Sequence, residues 1–255
     1  MDKSCSSSKL QARLKLMHII KENIPAWFPR DLINPFLYLI SCSILVTGLF
    51  FIPLFDMYLQ GHWWWLPWNI FLAWLPLFFA LCLLWAVHGE QSRLIIITCW
   101  GLWLFFYPNA PYMLTDLIHL NRFEFVIGTQ FSADPAVWFG FLHLVAGVAV
   151  GCGFGLLSLV MLQRHTARTR GAVWGWLLVA GTSLLSGIGI WIGRNLRFNS
   201  WDILFRPFHL LRNIASQFDR NAFLLCILFM IMCAGANFLV VFFNKEVKDE
   251  RGISN

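Results

Sequence analysis

The chain has 255 residues and a formal net charge of +6, and it is 58% hydrophobic and 17% aromatic but only 13% charged. With a mean hydropathy of +0.65, this excludes an ordinary soluble domain, in which about 45–50% of residues are apolar and about 25% charged. The composition is that of an integral membrane protein, whose expected partners are membrane lipids and not nucleic acid.

Residues 1–35 read as a basic cytoplasmic arm. In "KLQARLKLMHIIKENI", Leu10, Leu14, Met17 and Ile24 recur at helical spacing among Lys9, Arg13, Lys15 and Lys21. The arm is either an amphipathic helix on an anionic leaflet or a solvated topology signal, and Pro25 and Pro29 end it in both cases. No small-x-small cleavage pattern follows the first apolar run, so that run is expected to be an anchor rather than a signal peptide.

A hydrocarbon core of about 30 Å takes roughly 20 apolar residues as helix. Five runs meet this, at about 37–58, 67–88, 136–162, 173–193 and 222–243, and a sixth starts at Leu94. The fold class is therefore all-α: a bundle of six transmembrane helices over 36–244, with a tail at 245–255. The sixth run is apolar only as far as Tyr107, about 21 Å of helix at 1.5 Å per residue. Its crossing must be completed by the PNAP segment that follows.

Amino terminus inside, six spans place Lys3, Lys9, Arg13, Lys15, Lys21, Arg30, Arg93, Arg164, Arg168, Arg170, Lys245, Lys248 and Arg251 on the cytoplasmic side, 13 of the 19 Lys and Arg. Both termini are then cytoplasmic. The first external loop, "YLQGHWWWLPW", has no Lys or Arg and suits an aromatic belt. The segment Arg194 to Arg220 runs against this trend, since it carries Arg194, Arg197, Arg206, Arg212 and Arg220 on the outer side.

The seven cysteines form no C-x-x-C pair and read as small packing residues. Nucleotide-loop, H-E-x-x-H and G-x-S-x-G patterns do not occur. Gly147, Gly151 and Gly155 recur every fourth residue in the fourth span, as do Gly189 and Gly193 in the fifth, so these two helices are expected to approach backbone to backbone. His143 shares the face of Gly147 and is expected to turn inward and bond a neighbouring helix rather than a ligand.

Two blocks carry the candidate site. In "FFYPNAPYMLTDLIHL", Pro108 and Pro111 remove two backbone donors and disfavour helix in the residues before them, so the third helix is expected to break there. Irregular backbone at membrane depth needs burial or a wet cavity, and broken helices form many membrane sites. The restarted helix puts Tyr112, Asp116 and His119 on one stripe, with Asn109 beside them. Capping by Asn109 or Thr115 accounts for part of this but not for Asp116 together with His119, which become the candidate catalytic pair.

The second block, "GRNLRFNSWD", offers Arg194, Arg197, Asn199, Trp201 and Asp202 as candidate ligand-binding residues. Asn199 and Asp202 also have the spacing of a helix cap, which leaves the two arginines unexplained. Guanidinium groups bind carboxylates and phosphates bidentately, so they pair with Asp116 or hold an anionic headgroup. Beyond them, Phe208, Leu211, Ala215 and Phe218 mark an amphipathic helix in the outer interface.

Set in six spans, "PNAPYMLTDLIHL" and "GRNLRFNSWD" resemble an uncharacterised bacterial multi-pass family, domain of unknown function 1361. The resemblance implies a bacterial inner-membrane protein and brings no reaction, substrate or cofactor.

Three functions follow from the residues. The leading one is an enzyme at the outer face acting on a lipid or lipid-linked phosphate, with arginines on the anion and Asp116 with His119 as acid and base or as ligands of a divalent ion. A non-catalytic assembly or lipid-binding protein would use the same residues as a docking surface. A transporter would need polar groups along its whole path, and the cytoplasmic halves of the spans have almost none.

Overall fold

The computed structural model describes residues 24–51, 65–123, 134–198, 200 and 202–250. The basic arm before Ile24, most of the loop between the first two spans, and Asn199 and Trp201 lie outside the described residues.

Every element among the described residues is helical. The first span is α1 (Ile33–Gly48), entered and left through 3-10 turns at Arg30–Leu32 and Leu49–Phe51; the second is α2 (Trp65–His88). The third is composite: α3 (Arg93–Phe106), α4 (Asn109–Tyr112) and a 3-10 segment, Met113–Phe123. The fourth and fifth are α5 (Pro135–Arg170) and α6 (Ala172–Asn195). Two short helices, α7 (Asp202–Phe205) and α8 (Pro207–Gln217), lead to the sixth, α9 (Arg220–Glu250), which continues as helix past the tail boundary expected at 245. Six of these helices are long and apolar enough to cross a membrane.

The bundle is built around α5. Two-thirds of its apolar window, 67%, is buried, against 11% for the first span. Packed on α5 are α1, α2, α6, α9, α4 and the 3-10 segment, while α3 packs along α2 and α9 along α6. Outward-facing side chains are large and apolar, among them Tyr38, Ile44, Leu94, Ile97, Val173 and Leu228, as hydrocarbon around the bundle requires and water would penalise.

Buried polar groups tie the spans together. Tyr107 Oη donates to Asn237 Oδ1 at 2.9 Å, and Asn237 Nδ2 donates to Ser183 Oγ at 3.0 Å, linking the third, sixth and fifth spans. Trp103 Nε1 donates to Ser158 Oγ at 3.1 Å, linking α3 to α5. Such interhelical bonds contribute about 0.6–2 kcal/mol each in membranes. At the end of the bundle where α2 stops and α3 begins, Arg164 pairs with Asp31 at 2.5 Å and donates to Asn244 Oδ1 at 3.3 Å.

Two expectations are corrected here. The residue before Pro108 does not leave helical space: Tyr107 has φ −52°, ψ −42° and Pro108 φ −59°, ψ −20°. The α-helical ladder closes at Phe106, yet the chain coils onward as a tighter helix. A proline's own φ suits a first helical turn, and two carbonyls that lose their α-helical donors find others: that of Tyr107, which Pro111 cannot serve, and that of Phe106, which Ala110 leaves in order to serve Tyr107. Phe106 O accepts from Asn109 Nδ2 at 2.9 Å, and Tyr107 O accepts from the Ala110 N–H at 3.1 Å.

The glycine rows of α5 and α6 do not meet each other either. Gly151 faces Met113, Gly155 faces Ala110, Gly189 faces Pro108 and Gly193 faces Tyr112. Apart from Gly147, which faces Leu66 of α2, both rows close on the PNAP turn and the residues just after it. The backbone-to-backbone approach is instead at Gly187, which lies against the Cys226 carbonyl and the Met230 amide of α9.

Candidate functional site

The PNAP turn is seated between two glycine-lined helices, and this fixes where the polar residues after it emerge. From Met113 the chain is 3-10, with three residues per turn, so residues three apart eclipse one another. Met113 and Asp116 fall on the row that turns into the bundle, at 0% and 1% exposure. One turn later the row reaches the surface of the bundle, and His119 is half-buried there.

Asp116 is held on both oxygens. Arg194 Nη2 donates to Oδ1 at 2.5 Å and Asn69 Nδ2 donates to Oδ2 at 2.9 Å. The last turn of α6 therefore meets the third span, and the first turn of α2 reaches the same carboxylate. Arg194 is fixed further: Nε and Nη2 donate to Thr115 Oγ1 at 2.9 and 2.6 Å, and its Cζ stands 4.4 Å from the centre of the Tyr112 ring. Thr115 Oγ1 in turn donates to the Tyr112 carbonyl at 2.6 Å. Burying a carboxylate this deep is tolerable only when charge and hydrogen bonds both answer it, and this cluster supplies both.

In front of the cluster lies a cavity of about 770 Å³, within the size range of lipid and cofactor pockets. Its flanks are α3 and α6: Gly101, Leu104 and Phe105 on one side, Leu185, Ile188 and Ile192 on the other. Leu104 and Ile188 are 40% and 38% exposed on the lipid-facing surface, so the cavity opens sideways toward the bilayer. Its other end is polar, with Asn69, Asn109, His119, Arg194, Arg197 and Ser200. Ser200 Oγ donates to Asn109 Oδ1 at 3.2 Å, and the His119 ring lies 4.6 Å from that of Trp65.

The sequence candidates separate accordingly. Asn109, Tyr112, His119, Arg194 and Arg197 line the cavity. Asp116 stands behind its wall, bound to Arg194 and Asn69. Asp202 begins α7 and does not line the cavity, and its carbonyl accepts from the Arg206 N–H at 2.8 Å. Asn199 and Trp201 lie outside the described residues. His143 is away from the site, buried, with Nε2 2.8 Å from the Val46 carbonyl of α1. Sequence reasoning overlooks Asn69 and Ser200. A lone asparagine in the first turn of an apolar span is the one signal for Asn69.

The two arginines differ in what they leave available. Arg194 is neutralised by Asp116 and covered by Tyr112. Arg197 is exposed, lines the cavity, and has no hydrogen bond or ion pair among the described residues. Its backbone is at φ +59°, the left-handed region where glycine normally closes a helix. Phe198 N–H reaches back to the Ile192 carbonyl at 3.4 Å to complete that closure. No group of three or more His, Cys, Asp and Glu placed to hold a metal occurs among the described residues.

A family model described as protein of unknown function (DUF1361) matches residues 68–235, which include Asn69, the PNAP turn and both arginines. No curated protein and no solved structure matches the chain.

Proposed function

We propose that this chain, which belongs to the DUF1361 family of proteins of unknown function, takes an anionic, phosphate-bearing lipid from the bilayer into the cavity between α3 and α6. The observation that carries the reading is Arg197, a guanidinium with no ion pair or hydrogen bond among the described residues, at the polar end of a cavity whose other end is apolar and opens toward lipid. That division matches an amphiphile: acyl or isoprenoid chains along Leu104, Leu185 and Ile188, and a phosphate at the guanidinium fork. The Asp116–Arg194 pair acts as the rigid wall behind the headgroup. With its two oxygens occupied, Asp116 is a positioning residue rather than a base.

The favoured orientation puts the site on the extracytoplasmic side of a bacterial inner membrane with both termini in the cytoplasm. Support comes from the basic residues at the opposite end, among them Arg30, Arg93, Arg164, Arg168 and Arg170, and from the family resemblance.

A second reading, that the bound lipid is also turned over, rests on His119, an imidazole on the cavity wall. It would serve as the proton-transfer group next to a phosphate held by Arg197.

Protein purified in mild detergent is expected to carry a phosphate-bearing lipid by native mass spectrometry, and Arg197→Ala to lose it. Equal lipid retention by both proteins would overturn the reading. Release of a cleaved headgroup by wild type but not by His119→Ala would select turnover over binding.

A further inference from the structure

The space between α3 and α6 does not end with the first cavity. At the opposite membrane face the same two helices enclose a second one, of about 590 Å³, floored by the end of α2 and the end of α5. A methyl group placed on Gly181, midway along this side of α6, would meet no atom within 4 Å. The two helices thus stand apart over much of their length, with α2 and α5 behind them.

The second cavity has the same division into apolar and polar ends. Trp100 of α3 and Trp174 and Leu178 of α6 form its apolar walls, while Thr166, Thr169 and Arg170 stand at its rim. Trp174, at the start of α6, is 55% exposed, at the level where tryptophans mark the headgroups. Arg170 is exposed and has no ion-pair or hydrogen-bond partner among the described residues, and no acidic residue lines the cavity. Thr166 Oγ1 is buried without a partner among the described residues, although buried polar atoms are normally satisfied. Arg170, the last residue of α5, and Gly171, at φ +100°, turn the chain directly into α6. The guanidinium is therefore held at the membrane surface beside the cleft rather than on a long loop.

We infer that this cleft is a second lipid site, for an anionic phospholipid of the leaflet opposite the first. The phosphate would pair with Arg170 and accept a hydrogen bond from the orphan Thr166 hydroxyl, while one acyl chain lies between Trp100 and Trp174. A zwitterionic headgroup brings the same phosphate together with a cation of its own, which the Arg170 guanidinium repels, so the site discriminates by net charge. The inference stands independently of the site at Arg197.

The test is lipid titration of the full chain in mild detergent, followed by native mass spectrometry, with phosphatidylglycerol as probe and phosphatidylcholine as control. Arg170→Ala is expected to bind one phosphatidylglycerol fewer than wild type, with at least about a tenfold loss at that step for a charge-assisted bond. Leu178→Trp, which fills the cleft and leaves Arg170 in place, is expected to lose the same molecule. Arg197→Ala must leave this step unchanged, so failure at one site is distinguishable from failure at the other. If Arg170→Ala and Leu178→Trp both bind phosphatidylglycerol as wild type does, or if phosphatidylcholine binds the cleft as tightly, the inference is wrong.

Discussion

Asp116 and Arg194, 78 residues apart in sequence, meet at 2.5 Å at the end of the bundle where α6 finishes, with Asp116 only 1% exposed. Removing one partner of a buried pair leaves an uncompensated charge, at about 3–5 kcal/mol when both are fully buried. Arg194 retains 21% side-chain exposure, so the loss for Asp116→Ala is expected at or below the lower end of that range. The double variant with Arg194→Ala is expected to be less than additive, with a coupling of about 0.5–3 kcal/mol. Unfolding in detergent by titrated dodecyl sulfate measures all four proteins, and strict additivity would show that the contact contributes nothing.

The glycines rank themselves by what faces them. At Gly187 a methyl group would collide with backbone of α9, the Cys226 carbonyl and the Met230 amide, which cannot yield by a rotamer change. At Gly181 the space is open, and exchanging a helical glycine for alanine gains about 0.5–1 kcal/mol. Gly187→Ala is therefore expected to melt below wild type, and Gly181→Ala at or above it. A reversed order would refute this account of the packing.

How far the sequence reveals this arrangement depends on what each residue type can announce. Six apolar runs identify the spans directly, because hydrocarbon thickness sets their length. Asp116 and Arg194 announce a pairing because charges at membrane depth must be answered. Glycine spacing reports that something comes close but not what, and the partner is the PNAP turn between α5 and α6 rather than the other glycine row. The stripe of Tyr112, Asp116 and His119 is drawn with α-helical spacing. The 3-10 coiling after Tyr112 re-sorts it: Asp116 and His119 share a row with Met113 that is buried at Asp116 and reaches the cavity one turn later at His119, while Tyr112 lines the cavity from a different row. Asn69 supplies half of the carboxylate's support, yet as one polar residue among apolar ones it has no periodicity to reveal its direction.

Orientation can be read with an impermeant thiol reagent on intact cells, in a Cys5→Ser background. Ser216 on α8 and Glu90 in the turn between α2 and α3 are both exposed and lie at opposite ends of the bundle. Ser216→Cys is expected to be labelled and Glu90→Cys protected until the cells are opened. The opposite pattern would invert the protein and place the Arg197 cavity in the inner leaflet.

Arg197 combines a conformational cost with an open charge, and two substitutions separate them. A non-glycine residue in the left-handed region costs about 1–2 kcal/mol, partly offset in a glycine variant by the greater freedom glycine loses on folding, about 0.5–1 kcal/mol. Arg197→Gly is therefore expected to be more stable than Arg197→Ala by about 0.5–1 kcal/mol, since alanine keeps the strained backbone. Both variants remove the guanidinium. Both are expected to lose the phosphate-bearing lipid equally, although one is the more stable protein. Strain retained at a site without a structural benefit is a reason to look for function there, and lipid loss independent of stability is the signature of that function. If Arg197→Gly keeps its lipid, or if lipid loss follows melting temperature across the two variants, Arg197 is a helix terminator and not the ligand-binding cation.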